Sequence, residues 1–207
     1  MLWVARQLLV PCNYLRIRHG ASLLGSKAVY DFVLPAALSA ATVGLCLWLD
    51  IPLAIFKHHE LVKRLSDLLA LMIVFYMAAL AAVSTFERKG IDLPMKGGDA
   101  LLKVRHHDGG HHVDKVLSYR QFISYLFGYL SFLSLCLYMA LLFLSAGWPK
   151  IEGWYDRYSL AYRIFNVVLD PALFFAVFFA IWQLFITSLL GIYFLCERIQ
   201  SLNDPEN

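Results

Sequence analysis

Four long apolar runs set the rhythm of this chain, with polar stretches between them. The first, FVLPAALSAATVGLCLWL, covers Phe32 to Leu49 and is bracketed by Asp31 and Asp50. The second, LLALMIVFYMAALAAVSTF, runs from Leu68 to Phe86 and stops at Glu87-Arg88-Lys89. The third covers Phe122 to Trp148, and the fourth Pro171 to Cys196, closed by Glu197-Arg198. An α-helix rises ~1.5 Å per residue, so a bilayer core takes roughly 20 apolar residues to cross. Each run is about that long. The pattern predicts an all-α integral membrane protein with four transmembrane helices and short interfacial helices.

Local signals refine the ends. Asp170-Pro171 reads as a helix cap followed by proline at the first helical position. Pro35 falls in the first turn of span one, where a missing N–H is tolerated. The stretch IFKHHELVKRLSD predicts a helix entering span two. The remaining chain divides into an N-terminal segment 1–31, a loop 50–67, a middle loop 87–121, a loop 149–170 and a tail 197–207. In the 149–170 loop, Tyr155, Tyr158 and Tyr162 recur at helical spacing after Trp154. Amphipathic aromatics favour the membrane–water boundary, so a short helix lying on the outer leaflet is expected.

Composition supports the same class. The chain of 207 residues is 60% hydrophobic and only 16% charged, which is far from a soluble domain. Its net charge of +3 is small, but its distribution is uneven. Of 18 Lys and Arg, twelve fall in the N-terminal segment, the middle loop and the tail, and six in the other two loops. The positive-inside rule then puts both termini and the middle loop in the cytoplasm, as expected of a bacterial inner-membrane protein. Cys12, Cys46, Cys136 and Cys196 are scattered, without a CxxC pair, and read as small packing residues.

Candidate chemistry is sparse. No ionisable residue lies deep in any run, which counts against coupled transport and proton pumping. The acidic, histidine and serine constellations of membrane phosphatases and intramembrane proteases are missing, as is a phosphate-binding glycine loop. The chain therefore reads as non-enzymatic, with no cofactor and no metal site. Small residues Ala36, Ala40 and Gly44 recur four apart in span one, and Ala78 and Ala82 do so in span two. Such residues let helix backbones approach closely, within a subunit or at an oligomer axis, and suggest that spans one and two pack together. Gln183 is the most polar side chain near the middle of a span. It needs a helix–helix hydrogen bond or a polar ring in an oligomer, to which Ser131 and Ser134 could contribute.

The middle loop carries VRHHDGGHHVDK, with four of the seven histidines. Two local structures are open. A hairpin turning at Gly109-Gly110 sets Arg105 opposite Asp114 and His107 opposite His112. Alternatively, Asp99 caps a helix through ALLKVRHH, and span three begins near Val113. Helix propensity favours the second. Lys103, Arg105, His106, His107, Asp108, His111 and His112 read as a partner-docking surface, with metal binding and pH sensing as the alternatives. The positive charge is too diluted by Asp92, Asp99, Asp108 and Asp114 to predict direct nucleic-acid binding.

The arrangement of four spans, inward termini and a cytoplasmic middle loop without a catalytic motif resembles the KwaA family, the membrane subunits of the Kiwa anti-phage defence system. SKAVYDFVLPAALS, Ser26 to Ser39, and LLGIYFLCERI, Leu189 to Ile199, look like that family's span edges. The resemblance implies a homo-oligomeric membrane scaffold, a tetramer being one such assembly. It would contact membrane lipids, recruit a cytosolic effector and sense phage attachment. A homo-oligomeric pore is the alternative reading of the same spans.

Overall fold

The computed structural model describes residues 7–17, 27–57, 59–85, 91–94, 100–105, 112–155 and 168–198. Four helices within them are long and apolar enough to cross a membrane: Val29–Trp48, Glu60–Thr85, Tyr119–Ile151 and Asp170–Cys196. The fold is an all-α bundle of four transmembrane helices with short helical segments, as the apolar runs predict. The long regular helices among the described residues are α1 (Leu34–Trp48), α2 (His59–Thr85), α3 (Tyr119–Tyr155) and α4 (Asp170–Tyr193). A short 3-10 helix, Val10–Arg16, precedes them.

Proline shapes the start of span one. Pro35 has no N–H and its ring crowds the carbonyl four residues earlier, at Asp31. The backbone widens there into a π turn over Val29–Val33, with the Leu34 N–H bonded to the Val29 carbonyl. The helix thus begins before Pro35 and takes in Asp31. At its far end Asp50 adopts φ 53°, a left-handed conformation that Asp tolerates better than most residues, and the Ile51 N–H returns to the Cys46 carbonyl. In span four, Asp170 is the first helical residue and Leu169 holds the cap position. The third helix does not stop at Trp148. It continues through Pro149 to Tyr155, so that part of the expected separate outer helix is an extension of span three.

The helices form an open array. Span four packs on span one, span three on span four, and span two on span three. Span four stands between span one and the pair of spans two and three, so within the subunit spans one and two do not make the close packing that their small residues suggested. Spans three and four are the most enclosed, with 39% and 33% of their apolar windows buried against 17% for each of the others. The enclosed face of span three includes Ile123, Leu126, Phe127 and Leu130. Span four approaches it at Gly191, where an added Cβ would stand 2.9 Å from Leu126 Cδ2 and 3.2 Å from Phe127 Cζ. Elsewhere Leu71, Val74, Phe143 and Phe185 point outward. That is the expected arrangement when the solvent is lipid rather than water.

The middle loop contains a β-hairpin, not the favoured helix. Strands β1 (Leu101–Arg105) and β2 (His112–Val116) pair antiparallel, with Lys103 opposite Asp114 and Arg105 opposite His112. Span three accordingly begins at Tyr119, not near Val113. Local propensity lost because Leu102 and Leu117, with Ala100, are buried, so the tertiary contact chose an alternating pattern.

Candidate functional site

The hairpin is the first candidate region. Residues opposite each other in a ladder share a face, and faces alternate along each strand. Leu102, 6% exposed, thus lies beside Lys115, whereas Lys103 and Asp114 share the other, exposed face. The Leu117 N–H bonds the Ala100 carbonyl at 3.0 Å, extending the pairing to the foot of span three. The Arg120 N–H reaches the Ile91 carbonyl at 3.0 Å, and the Arg120 guanidinium grips Asp92 at 2.8 Å. The hairpin packs against the N-terminal 3-10 helix, which also lies along span three. It is a braced platform with one polar face free.

Among the predicted docking residues, Lys103 is exposed on that face. Arg105 and His112 end the ladder as register partners. His106, His107, Asp108 and His111 lie outside the described residues. Trp154 and Tyr155 fall in the last turn of α3, while Tyr158 and Tyr162 lie outside the described residues.

A second region was missed by sequence reasoning. Lys27 Nζ stands 2.7 Å from Asp31 Oδ2, and both side chains are nearly fully buried. The same ammonium donates to the Tyr14 carbonyl at 2.6 Å and lies 3.7 Å from the centre of the Tyr14 ring. Tyr14 Oη donates to Asp31 Oδ1 at 3.3 Å. Tyr14 is fully buried and stacks on Tyr129 of span three at 5.1 Å. Each charge thus has an opposite charge, a hydrogen-bond partner or an aromatic face, which is what burial of charge demands. Burial pushes the Lys27 ammonium below its usual range, opposed by Asp31. Burial, then the Asp31 charge, pushes the Tyr14 phenol up, so it stays protonated and keeps donating.

This cluster fastens the N-terminal helix, the foot of span one and the foot of span three together. The π turn matters because it carries Asp31, four residues from Lys27, to the place where both meet Tyr14. One signal was visible in sequence: Lys and Asp four apart beside an apolar run in a chain short of charge. Nothing local could have pointed to Tyr14, seventeen positions from Asp31.

A third set of polar groups lies within the spans. Ser39 Oγ donates to the Phe175 carbonyl at 2.9 Å, and Trp182 Nε1 donates to Thr42 Oγ1 at 3.1 Å. These two bonds tie span one to span four. Tyr76 Oη bonds Ser188 Oγ, joining spans two and four. Because Ser188 Oγ donates to the Leu184 carbonyl, Tyr76 is the donor to Ser188. Ser131 and Ser134 give their hydroxyls to carbonyls of their own helix, so neither is committed to another span. Gln183 is buried, at 4% exposed, with Thr187 one turn on. Ala36 is half-buried, whereas Ala40 and Gly44 face outward, so these three do not share one environment with Gln183.

Among the described residues no group of three or more His, Cys, Asp or Glu is placed to hold a metal ion. No family model, no curated protein and no solved structure matches the chain.

Proposed function

We propose that this chain is a non-enzymatic membrane scaffold and sensor that self-associates and recruits a cytosolic protein through its hairpin. The observation that carries the reading is the braced hairpin: Leu102 on its inner face is buried against the bundle, while Lys103 and Asp114 on the other face remain exposed. A rigid edge held on a transmembrane helix is suited to report a change in that helix to a bound partner. Self-association draws on the open array. Ala37, Ala40, Ala41 and Gly44 follow one exposed face of span one, and a Cβ added at Gly44 meets nothing within 4 Å. A second copy can approach closely there. The charge bias supports a bacterial inner membrane with cytoplasmic termini, and the likeness to the Kiwa membrane subunits supports a role in anti-phage defence.

Tagged protein taken from its native membrane in mild detergent tests this. The native mass and any stoichiometric soluble companion are read from one sample. The expected result is a multiple of the 23.6 kDa chain with a companion that is lost on Lys103→Glu with Asp114→Lys, while the multiple persists. A companion retained by that variant, or none in the wild type, removes the scaffold reading.

A homo-oligomeric pore is the second reading, favoured by one observation: the Thr187 hydroxyl is buried beside Gln183 with no hydrogen-bond partner among the described residues. Single-channel recording decides it; a silent bilayer across voltage and pH rejects the pore.

A further inference from the structure

A groove of about 510 Å³ opens between the N-terminal helix, the inner face of the hairpin and the foot of span three. Its size lies in the ~300–1,000 Å³ range of small-ligand sites. Its walls are of two kinds. Val10, Pro11, Leu102 and Leu117 make an apolar side, while Lys115 and Arg120 bring two cations to the same space. The hairpin register explains the combination, since Lys115 is the direct partner of Leu102 and shares its face. Arg120 is fixed by Asp92, and Lys115 forms no ion pair among the described residues.

The groove continues along span three past Gln121, Tyr125 and Gly128, which are spaced along one helix face. A Cβ added at Gly128 meets nothing within 4 Å, so the floor there is open. This stretch belongs to the apolar helix that begins at Tyr119, so the groove runs from the polar hairpin into the membrane-spanning part of the chain. A soluble anion would be matched by the cations alone. A channel that passes the polar Gln121 and Ser124 side chains and then Tyr125 and Gly128, leading from the cations toward the hydrocarbon, matches a molecule with a polar, charged head and an apolar tail.

We infer that this groove binds one anionic phospholipid from the leaflet on the hairpin side, its phosphate at Lys115 and Arg120 and the upper part of an acyl chain along Tyr125 and Gly128. Basic side chains at a membrane surface attract anionic headgroups, and the apolar wall adds burial of the chain. A lipid held there would add contacts among the hairpin, the N-terminal helix and span three, which already pack on one another.

The test uses the purified full-length protein in non-ionic detergent. It is supplied with phosphatidylglycerol, with phosphatidylcholine bearing the same acyl chains, or with inorganic phosphate. Bound lipid is read by native mass spectrometry, and the thermal midpoint is read in parallel. Phosphatidylglycerol is expected to be retained and to raise the midpoint, while the other two do neither. Lys115→Gln should weaken retention about fivefold, the order expected for one basic side chain at an anionic surface. Gly128→Leu should abolish retention by filling the floor, while leaving the lipid-free midpoint intact, because leucine has room and favours helix over glycine. Equal retention of phosphatidylcholine overturns the charge match. A midpoint raised equally by inorganic phosphate overturns the lipid. Wild-type retention of phosphatidylglycerol by both variants overturns the site.

Discussion

At the foot of span one, Lys27 and Asp31 are buried at 7% and 2% exposure as an ion pair, with the Tyr14 phenol closing the set. Halfway along the spans, Ser39, Thr42, Tyr76, Trp182 and Ser188 hold the helices together with neutral hydrogen bonds only. Both regions join elements distant in sequence, yet with different chemistry. The cost of a charge in hydrocarbon rises with depth, so charge is confined to the ends of spans, where it is paired. Deeper contacts rely on hydroxyls and an indole, which cost less to bury and stabilise less. The boundary cluster should therefore be brittle, and the mid-membrane bonds tolerant.

The largest effect is expected from breaking the ion pair on one side. Asp31→Leu leaves the Lys27 ammonium buried without its counter-charge and should cost about 3–5 kcal/mol. Lys27→Met with Asp31→Leu removes both charges and should recover most of that loss. Equilibrium unfolding in detergent gives both numbers. Equal losses in the single and double variants would show that the cluster holds by shape, not charge.

A packing contact is the next most sensitive. Gly191→Val adds a branched side chain against Leu126 and Phe127, an overpacking expected to cost about 1–3 kcal/mol. Gly191→Ala should be nearly neutral. The nearest atoms are ends of side chains that can shift, and alanine recovers roughly 0.8–1.0 kcal/mol of helix propensity. The same unfolding assay separates the two, and a large loss with alanine would mean that Leu126 cannot move.

The neutral bonds should matter less. Tyr76→Phe and Ser188→Ala should each be mild, with a coupling of about 0.6 kcal/mol in a double-mutant cycle, as is usual between membrane helices. A coupling as large as the loss from breaking the ion pair would erase the distinction between the two regions.

Alkaline pH gives the smallest and most specific test. The buried Tyr14 phenol titrates above its unfolded value of about 10, so the unfolded chain loses that proton first. Its contribution is complete below that pH and is lost as pH rises above it. Lys27 acts in the opposite sense, because its depressed ammonium releases its proton before the unfolded chain does. Comparing wild type with Tyr14→Phe cancels most of the Lys27 and bulk terms. The variant should show a shallower loss of thermal midpoint above about pH 10. Identical slopes would remove Tyr14 from the cluster's energetics.

The four spans were legible because a bilayer tests one property, the length of an apolar run, and that is written locally in the chain. The run from His59 into span two also follows from neighbours in sequence, whereas the helices of spans one and four begin earlier than Pro35 and Pro171 suggested. The hairpin was only half legible. Its alternating pattern competed with helix propensity until Leu102 and Leu117 found a core to enter. The hairpin considered from the glycines set Arg105 opposite Asp114, two residues from the ladder in which Lys103 faces Asp114. That shift keeps every side chain on its face, so periodicity alone has no means of choosing between the two registers.

What the sequence by itself determined is a membrane protein of four helices with charge held to its edges, because transfer free energy sums residue by residue. Only the tertiary structure decided which helices are neighbours, that Tyr14 meets Lys27 and Asp31, and that Lys115 shares a groove with Arg120. Those outcomes depend on contacts between residues far apart in the chain, and no local energy term reports them.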